Sequence, residues 1–143
     1  METAKQYVGI PYLWGGMSTK GFDCSGFVRT VYLMNGVVLP RNADQMVSLG
    51  VEVSDFTKLK AGDLVFFGQK GGLLKKDKIS HVALYIGDGR IIHSSHIVRI
   101  NSLNKDDADY YSGAPNLIRA CRLVGTEQIQ DMKVRARAYL PIQ

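Results

Sequence analysis

A chain of 143 residues, 45% of them apolar, has the size and hydrophobic content of one compact domain and leaves little room for two. Eighteen Lys and Arg against 13 Asp and Glu give a formal charge of +5, which favours acidic partners in general, but the basic residues form no dense stripe interleaved with aromatics, and this argues against nucleic acid. No run approaches the roughly 18 to 20 apolar residues of a transmembrane segment, and Met1-Glu2-Thr3-Ala4-Lys5 lacks the apolar stretch of a secretory signal, which leaves localisation open.

Taken in chain order, residues 2–8 predict a short helix stopped by Gly9 and Pro11, and Pro11-Tyr12-Leu13-Trp14-Gly15-Gly16 a loop rich in aromatics and glycine. From Ser25 to about Asn35, Phe27, Val28, Val31 and Tyr32 recur at helical spacing before the stop signal Asn35-Gly36. This puts Cys24 at the N-terminal end of a core helix. A second short helix over 41–48, with Asn42 as cap, and a short strand at Val51-Glu52-Val53 follow. From residue 60 the pattern turns to strands, at 63–67, 81–86, 91–95, 97–100 and 117–124, with a basic, Gly-containing loop at 68–78 placed to border a cleft. Helices first and strands afterwards predict an α+β fold, N-terminal helices packed on a mostly antiparallel sheet. The expected domain is residues 1–125. The tail, 126–143, reads equally as a docked strand or helix or as a partly ordered arm.

The two cysteines are too few for a disulfide framework and lack zinc spacing. Cys121 sits in the strand Leu117–Val124 as a small core filler, whereas Cys24 lies in a polar, Gly-rich segment at a helix start. A thiol attacks carbonyls as thiolate, and a helix N-terminus and a neighbouring imidazolium both favour that form. His81, His93 and His96 fall on two adjacent strands. A zinc site is disfavoured, because His93 and His96 on one strand point to opposite faces, and no metal or cofactor is expected. Which histidines meet depends on the hairpin. A two-residue loop Asp88-Gly89 pairs His81 with His96 and turns His93 away; a three-residue loop Gly87-Asp88-Gly89 pairs Ile86 with Arg90 and Ala83 with His93, bringing His81 and His93 to one face. Gly89 favours the second, since the third loop position is left-handed, although Asp-Gly is also a favoured two-residue turn.

Gly15-Gly16, Asp23-Cys24-Ser25-Gly26-Phe27, Ala61-Gly62-Asp63-Leu64-Val65-Phe66-Phe67, Ser80-His81-Val82-Ala83-Leu84-Tyr85-Ile86-Gly87 and Ile92-His93-Ser94-Ser95, in this order, resemble the signature of the NlpC-type cell-wall cysteine peptidases over about residues 3–124. The resemblance implies a papain-like fold with Cys24 as nucleophile, His81 as base and His93 as the residue that orients it. It also implies substrate contacts from Tyr12, Asp23, Ser25 and Ser80, with Asp23 and Ser25 meeting a free peptide amine. The implied partner is a peptidoglycan stem peptide or muropeptide, cut between γ-linked D-glutamate and a diamino acid, in the cell envelope or outside the cell. A plainer reading makes Tyr12 and Trp14 core aromatics, Asp23 and Ser25 helix caps, and Asp63 the residue that fixes a turn. A wall amidase on the same plan and an inactive wall-binding module are the rival functions.

Overall fold

The computed structural model describes residues 1–18 and 20–133. Its elements are α1 (Glu2–Lys5), β1 (Met17–Ser18), β2 (Gly21–Phe22), α2 (Cys24–Met34), α3 (Ala43–Met46), β3 (Val51–Glu52), β4 (Leu64–Gln69), β5 (Lys78–Gly87), β6 (Arg90–Ser95), β7 (Ile97–Ser102), β8 (Leu117–Arg122) and α4 (Gln128–Met132). Six strands form one antiparallel sheet in the order β3-β8-β4-β5-β6-β7. Helices packed on an antiparallel sheet are the predicted α+β architecture.

The hydrophobic periods explain the packing. On α2, Phe27, Val28, Val31 and Tyr32 form the buried stripe, and they meet Leu64, Phe66, Val82, Leu84 and Ile92 on one sheet face. The alternate strand residues Val65, Phe67, Ala83 and Ile91 form a second cluster on the other side. β4 is therefore apolar on both faces, as its unbroken Leu64-Val65-Phe66-Phe67 run suggests.

At the front of α2, the Asp23 carboxylate accepts a hydrogen bond from the Gly26 N–H at 2.6 Å, capping the helix. Gly26 has no freedom to be anything larger, because a Cβ there would run into the Gly16 carbonyl. The Gly15-Gly16 loop thus lies directly on the first turn of α2. Ser94 of β6 reaches across to the same region, donating to the Phe22 carbonyl at 2.7 Å. These contacts fix Cys24 over the sheet.

The β5–β6 hairpin combines both of the turns weighed above. Its loop is the two-residue Asp88-Gly89, closed by Gly87 opposite Arg90, with φ positive at both positions (53° and 71°) as a type I′ turn requires. Ile86 is then bulged out, and beyond it Tyr85 faces Ile91 and Leu84 faces Ile92. The expected pair Ile86–Arg90 does not form. One bulged residue restores the register that a three-residue loop would have given, and the favoured Asp-Gly turn is kept.

In the tail, α4 packs Ile129 and Met132 against the core, and the Val38 N–H donates to the Met132 carbonyl at 2.9 Å. Residues 126–133 are therefore docked; 134–143 lie outside the described residues. No helix among the described residues is long and apolar enough to cross a membrane.

Candidate active site

Cys24 is the first residue of α2, half-buried between the helix and β5. Burial raises its thiol pKa, and this outweighs the backbone N–H groups of Val82, Ser25 and Cys24 itself, which favour the thiolate. The helix terminus anticipated from sequence is present, and burial of the sulfur works against the thiolate that it favours. The contact with Val82 sets the sulfur one residue along β5 from His81.

His81 and His93 meet across the sheet, with Nε2 of His81 2.7 Å from Nδ1 of His93. His93 is wholly enclosed, and its Nε2 lies 2.8 Å from Oδ1 of Asn101 on β7. The Asn101 amide is itself oriented, since its Nδ2 donates to the Asp109 carbonyl at 2.9 Å. Arg90 pairs with Asp109 and Asp107, holding that loop against β6. The polarity of the chain follows. Asn101 Oδ1 can only accept, so His93 Nε2 carries a proton; His93 Nδ1 then accepts from His81 Nε2–H, and Nδ1 of His81 is left as the free acceptor. Both imidazoles are held neutral. Burial first, and then His93, push the His81 pKa down to about 3. For His93, burial first and Arg99 next push the pKa down to about 4, against the Asn101 hydrogen bond.

Tyr111 seals this pair, its ring edge-to-face with His93 at 4.7 Å and with Phe67 at 5.2 Å. Neither Asn101 nor Tyr111 was singled out from the sequence. Asn101 lies opposite Ile91 in the register, two residues on from the partner of His93, so the β6–β7 pairing was the signal for it. Tyr111 comes from the segment after β7, where no periodicity marks a contact.

The remaining candidates separate into three places. Tyr12 is 37% exposed and lines a cleft of about 410 Å³ with His81, Ser94, Ser95 and His96. Burial, above all, raises its phenol pKa, so it stands there as a hydroxyl donor. Trp14 is 88% exposed, so neither aromatic belongs to the core. Asp23 and Ser25 flank the thiol and are tied to Arg41, whose Nη1 and Nη2 lie 3.2 and 2.7 Å from the carboxylate while Nη1 also meets Ser25 Oγ at 2.8 Å. Arg41 was visible in the sequence only as the residue before a helix cap. Ser80 stands apart: its hydroxyl donates to the Phe67 carbonyl at 3.2 Å, and it lines a separate recess of about 340 Å³ with Gly68, Gln69, Lys78 and Asn116. Asp63, itself buried, accepts from the Lys60 N–H at 2.8 Å and pairs with the partly exposed Arg122 at 2.7 Å, which is the structural role expected of it. Among the described residues no group of three or more His, Cys, Asp or Glu is placed to hold a metal ion.

A thiol on the first turn of a helix, laid across an antiparallel sheet that presents paired imidazoles, is the papain-like α+β arrangement. The chain belongs to the NlpC/P60 family, whose model matches residues 9–113. The gamma-D-glutamyl-L-lysine dipeptidyl-peptidase of Bacillus cereus is 44% identical over 99 residues, covering 69% of this chain and 28% of that enzyme. An NlpC/P60 family protein of known structure from Bacillus cereus superposes with a TM-score of 0.73 at 38% identity, over 86% of this chain and 38% of that one. The NlpC/p60 domain of the peptidoglycan hydrolase SagA gives 0.68 at 34% identity, over 85% of this chain and 94% of that domain. The chain spans under a third of the length of the curated Bacillus peptidases it matches.

Proposed function

We propose that this chain is a cysteine peptidase acting on bacterial cell-wall stem peptides, with Cys24 as nucleophile, His81 as general base and His93 as the residue that orients it. The observation that carries the reading is the proton order in the row His81, His93, Asn101, which leaves Nδ1 as the free acceptor of a histidine adjacent in β5 to the Val82 N–H that meets the thiol. Because the resting pair is neutral, the Cys24 proton passes to His81 Nδ1 as the sulfur attacks the scissile carbonyl. The Cys24 and Ser25 N–H groups, which lie at the sulfur, are the donors proposed to receive the developing oxyanion. Protonated His81, still bonded to His93, then gives its proton to the leaving amine, and water releases the acyl group by the reverse path.

Within stem peptides, the bond between γ-linked D-glutamate and the diamino acid is the proposed target. Support comes from the names of the Bacillus relatives and from the polar wall beside the thiol. A γ-linked glutamate keeps a free α-carboxylate, and the residue before it carries a free amine where the stem peptide is no longer joined to its sugar; Arg41, Ser25, Asp23 and Tyr12 together offer groups for both charges. Ser80 is proposed to contact the substrate on the side of the second recess. Digestion of defined muropeptides with mass analysis of the products is the test. Expected are a dipeptide ending in D-glutamate, still joined to its sugar where the substrate carries one, and a fragment beginning with the diamino acid. Intact stem peptide freed from its sugar would mean an amidase, and undigested muropeptide a binding module.

A further inference from the structure

Beyond Gln69 and Lys78, the last paired residues of β4 and β5, the chain continues as an arm ending in Gly71-Gly72-Leu73-Leu74-Lys75-Lys76. Leu73 and Leu74 are fully exposed, at 105% and 99%, whereas no other large aliphatic or methionine side chain among the described residues passes 64%. Scattered single apolar residues are ordinary on a surface, but two adjacent ones at a tip, with nothing beneath them, need a reason. The base of the arm is fixed. Asp77 accepts from the Gly71 N–H at 2.8 Å and from Arg119 Nε at 2.6 Å, and Arg119 also holds Glu52 at 3.1 Å. The one acid of the arm is thus engaged at its root, and none of Lys70, Lys75, Lys76 and Lys78 forms an ion pair among the described residues.

An apolar tip with a collar of free cations matches the cross-section of an anionic lipid surface, acyl chains below and negative headgroups above. An anionic wall polymer complements the lysines alone and offers no apolar phase for the leucines. We propose that residues 70–78 dock this domain on an anionic membrane surface, Leu73 and Leu74 entering the boundary of headgroups and acyl chains. The net charge of +5 adds a longer-range attraction of the same sign. His81 lies seven residues beyond Leu74, so an extended strand places it at most about 23 Å from the tip. Docking would hold the cleft over the membrane surface, and peptides tethered near that surface would be the ones it reaches.

Co-sedimentation with vesicles tests this, using phosphatidylcholine alone and phosphatidylcholine with roughly one third phosphatidylglycerol, at low and at physiological salt. The wild-type chain should bind the mixed vesicles and not the neutral ones. Lys75→Gln/Lys76→Gln should weaken binding about fivefold per charge and flatten its salt dependence. Leu73→Ser/Leu74→Ser should weaken it by roughly tenfold or more for each leucine that enters the apolar phase and leave the salt slope unchanged. Both double variants change only exposed side chains, so circular dichroism and turnover of a soluble stem peptide should match wild type. Absence of binding to the anionic vesicles would overturn the proposal. So would unchanged vesicle binding by the double serine variant, or equal binding to isolated anionic wall polymer that ignores the leucines. The vesicle readout needs no catalysis and stands apart from the peptidase reading.

Discussion

His93 Nε2 and Asn101 Oδ1 lie 2.8 Å apart inside the sheet, and this contact decides which nitrogen of His81 is free to take a proton. A base on the far side of His81 from His93 exists only while His93 is the Nε2–H tautomer. Under the proposed mechanism Asn101 is thus a positioning residue, three groups removed from the thiol. Replacing it with Leu should lower kcat/KM by roughly 100- to 10,000-fold, the range between a misplaced catalytic group and an imidazole in the wrong tautomer. Asn101→Asp should do something different. A carboxylate at that point stabilises the imidazolium pair, so the acidic limb of the pH profile of kcat/KM should move upward from its low position. A profile of unchanged shape in both variants would reduce Asn101 to a packing role.

His93 itself is expected to orient and not to exchange protons with substrate. His93→Gln or His93→Asn can keep a hydrogen bond to His81 Nε2, whereas His93→Ala leaves that nitrogen without one. The amide variants should therefore retain more activity than Ala on the same stem peptide. Equal loss in all three, with circular dichroism showing intact folds, would sink the orienting role.

The cysteines should separate cleanly. Cys24→Ala should abolish hydrolysis and leave the fold intact, since Cys24 is only partly buried, while Cys121→Ala should keep most activity and lose about 1 kcal/mol of stability through a small core vacancy. The raised thiol pKa gives a second readout. In Cys121→Ala, alkylation of the free enzyme by iodoacetamide should still be rising with pH beyond 9. A plateau reached near neutrality would instead reveal a resting thiolate–imidazolium pair.

Stability should fall on mild acidification. Both histidine pKa values are depressed on folding, from 6.5 to about 3 for His81 and about 4 for His93. Between those values and 6.5 the unfolded chain binds more protons than the folded one, so stability is full above about 6.5 and declines as pH drops, by up to about 1.4 kcal/mol per pH unit for each histidine. The lowered carboxyls of Asp55 and Asp77 lie below 3.8 and contribute only at more acid pH. Thermal melts from pH 7 to 4.5 should therefore show a falling Tm, with a shallower slope for His93→Gln. Parallel slopes for the two proteins would contradict a neutral, buried His93.

Much of this was legible in the residues because periodicity and local turn chemistry set it. The stripe of Phe27, Val28, Val31 and Tyr32 announces α2, and the strand pattern from residue 63 onward announces the sheet. The hairpin was harder, because a bulge at Ile86 costs little and leaves no mark in composition, so two registers remained compatible with one sequence. Long-range partners were out of reach. Arg41 meets Asp23 across 18 positions and Tyr111 meets His93 across an irregular loop, contacts made by the tertiary fold. The same gap hid how far burial would govern the thiol, since helix position can be read from sequence and desolvation cannot.

Asp23 offers the last test, and Arg41 makes it sharper. Its carboxylate caps α2 through Gly26 and is paired with Arg41, so an incoming ammonium would share it with a guanidinium already in place. Removing a charge-assisted hydrogen bond of about 1.5 to 3 kcal/mol should weaken discrimination by roughly one to two orders of magnitude. Asp23→Asn keeps the shape and some capping ability but loses the charge. If Asp23 receives the peptide's amine, kcat/KM for a stem peptide with a free N-terminus should fall markedly, while the low value for its N-acetylated counterpart changes little. Arg41→Gln is the control: it frees the carboxylate and removes a cation from the cleft, so recognition of the substrate's own carboxylate should suffer and preference for the free amine should be kept or increased. Equal losses on the free and acetylated peptides in Asp23→Asn would return Asp23 to a capping role, because a frayed α2 misplaces Cys24 for both substrates alike.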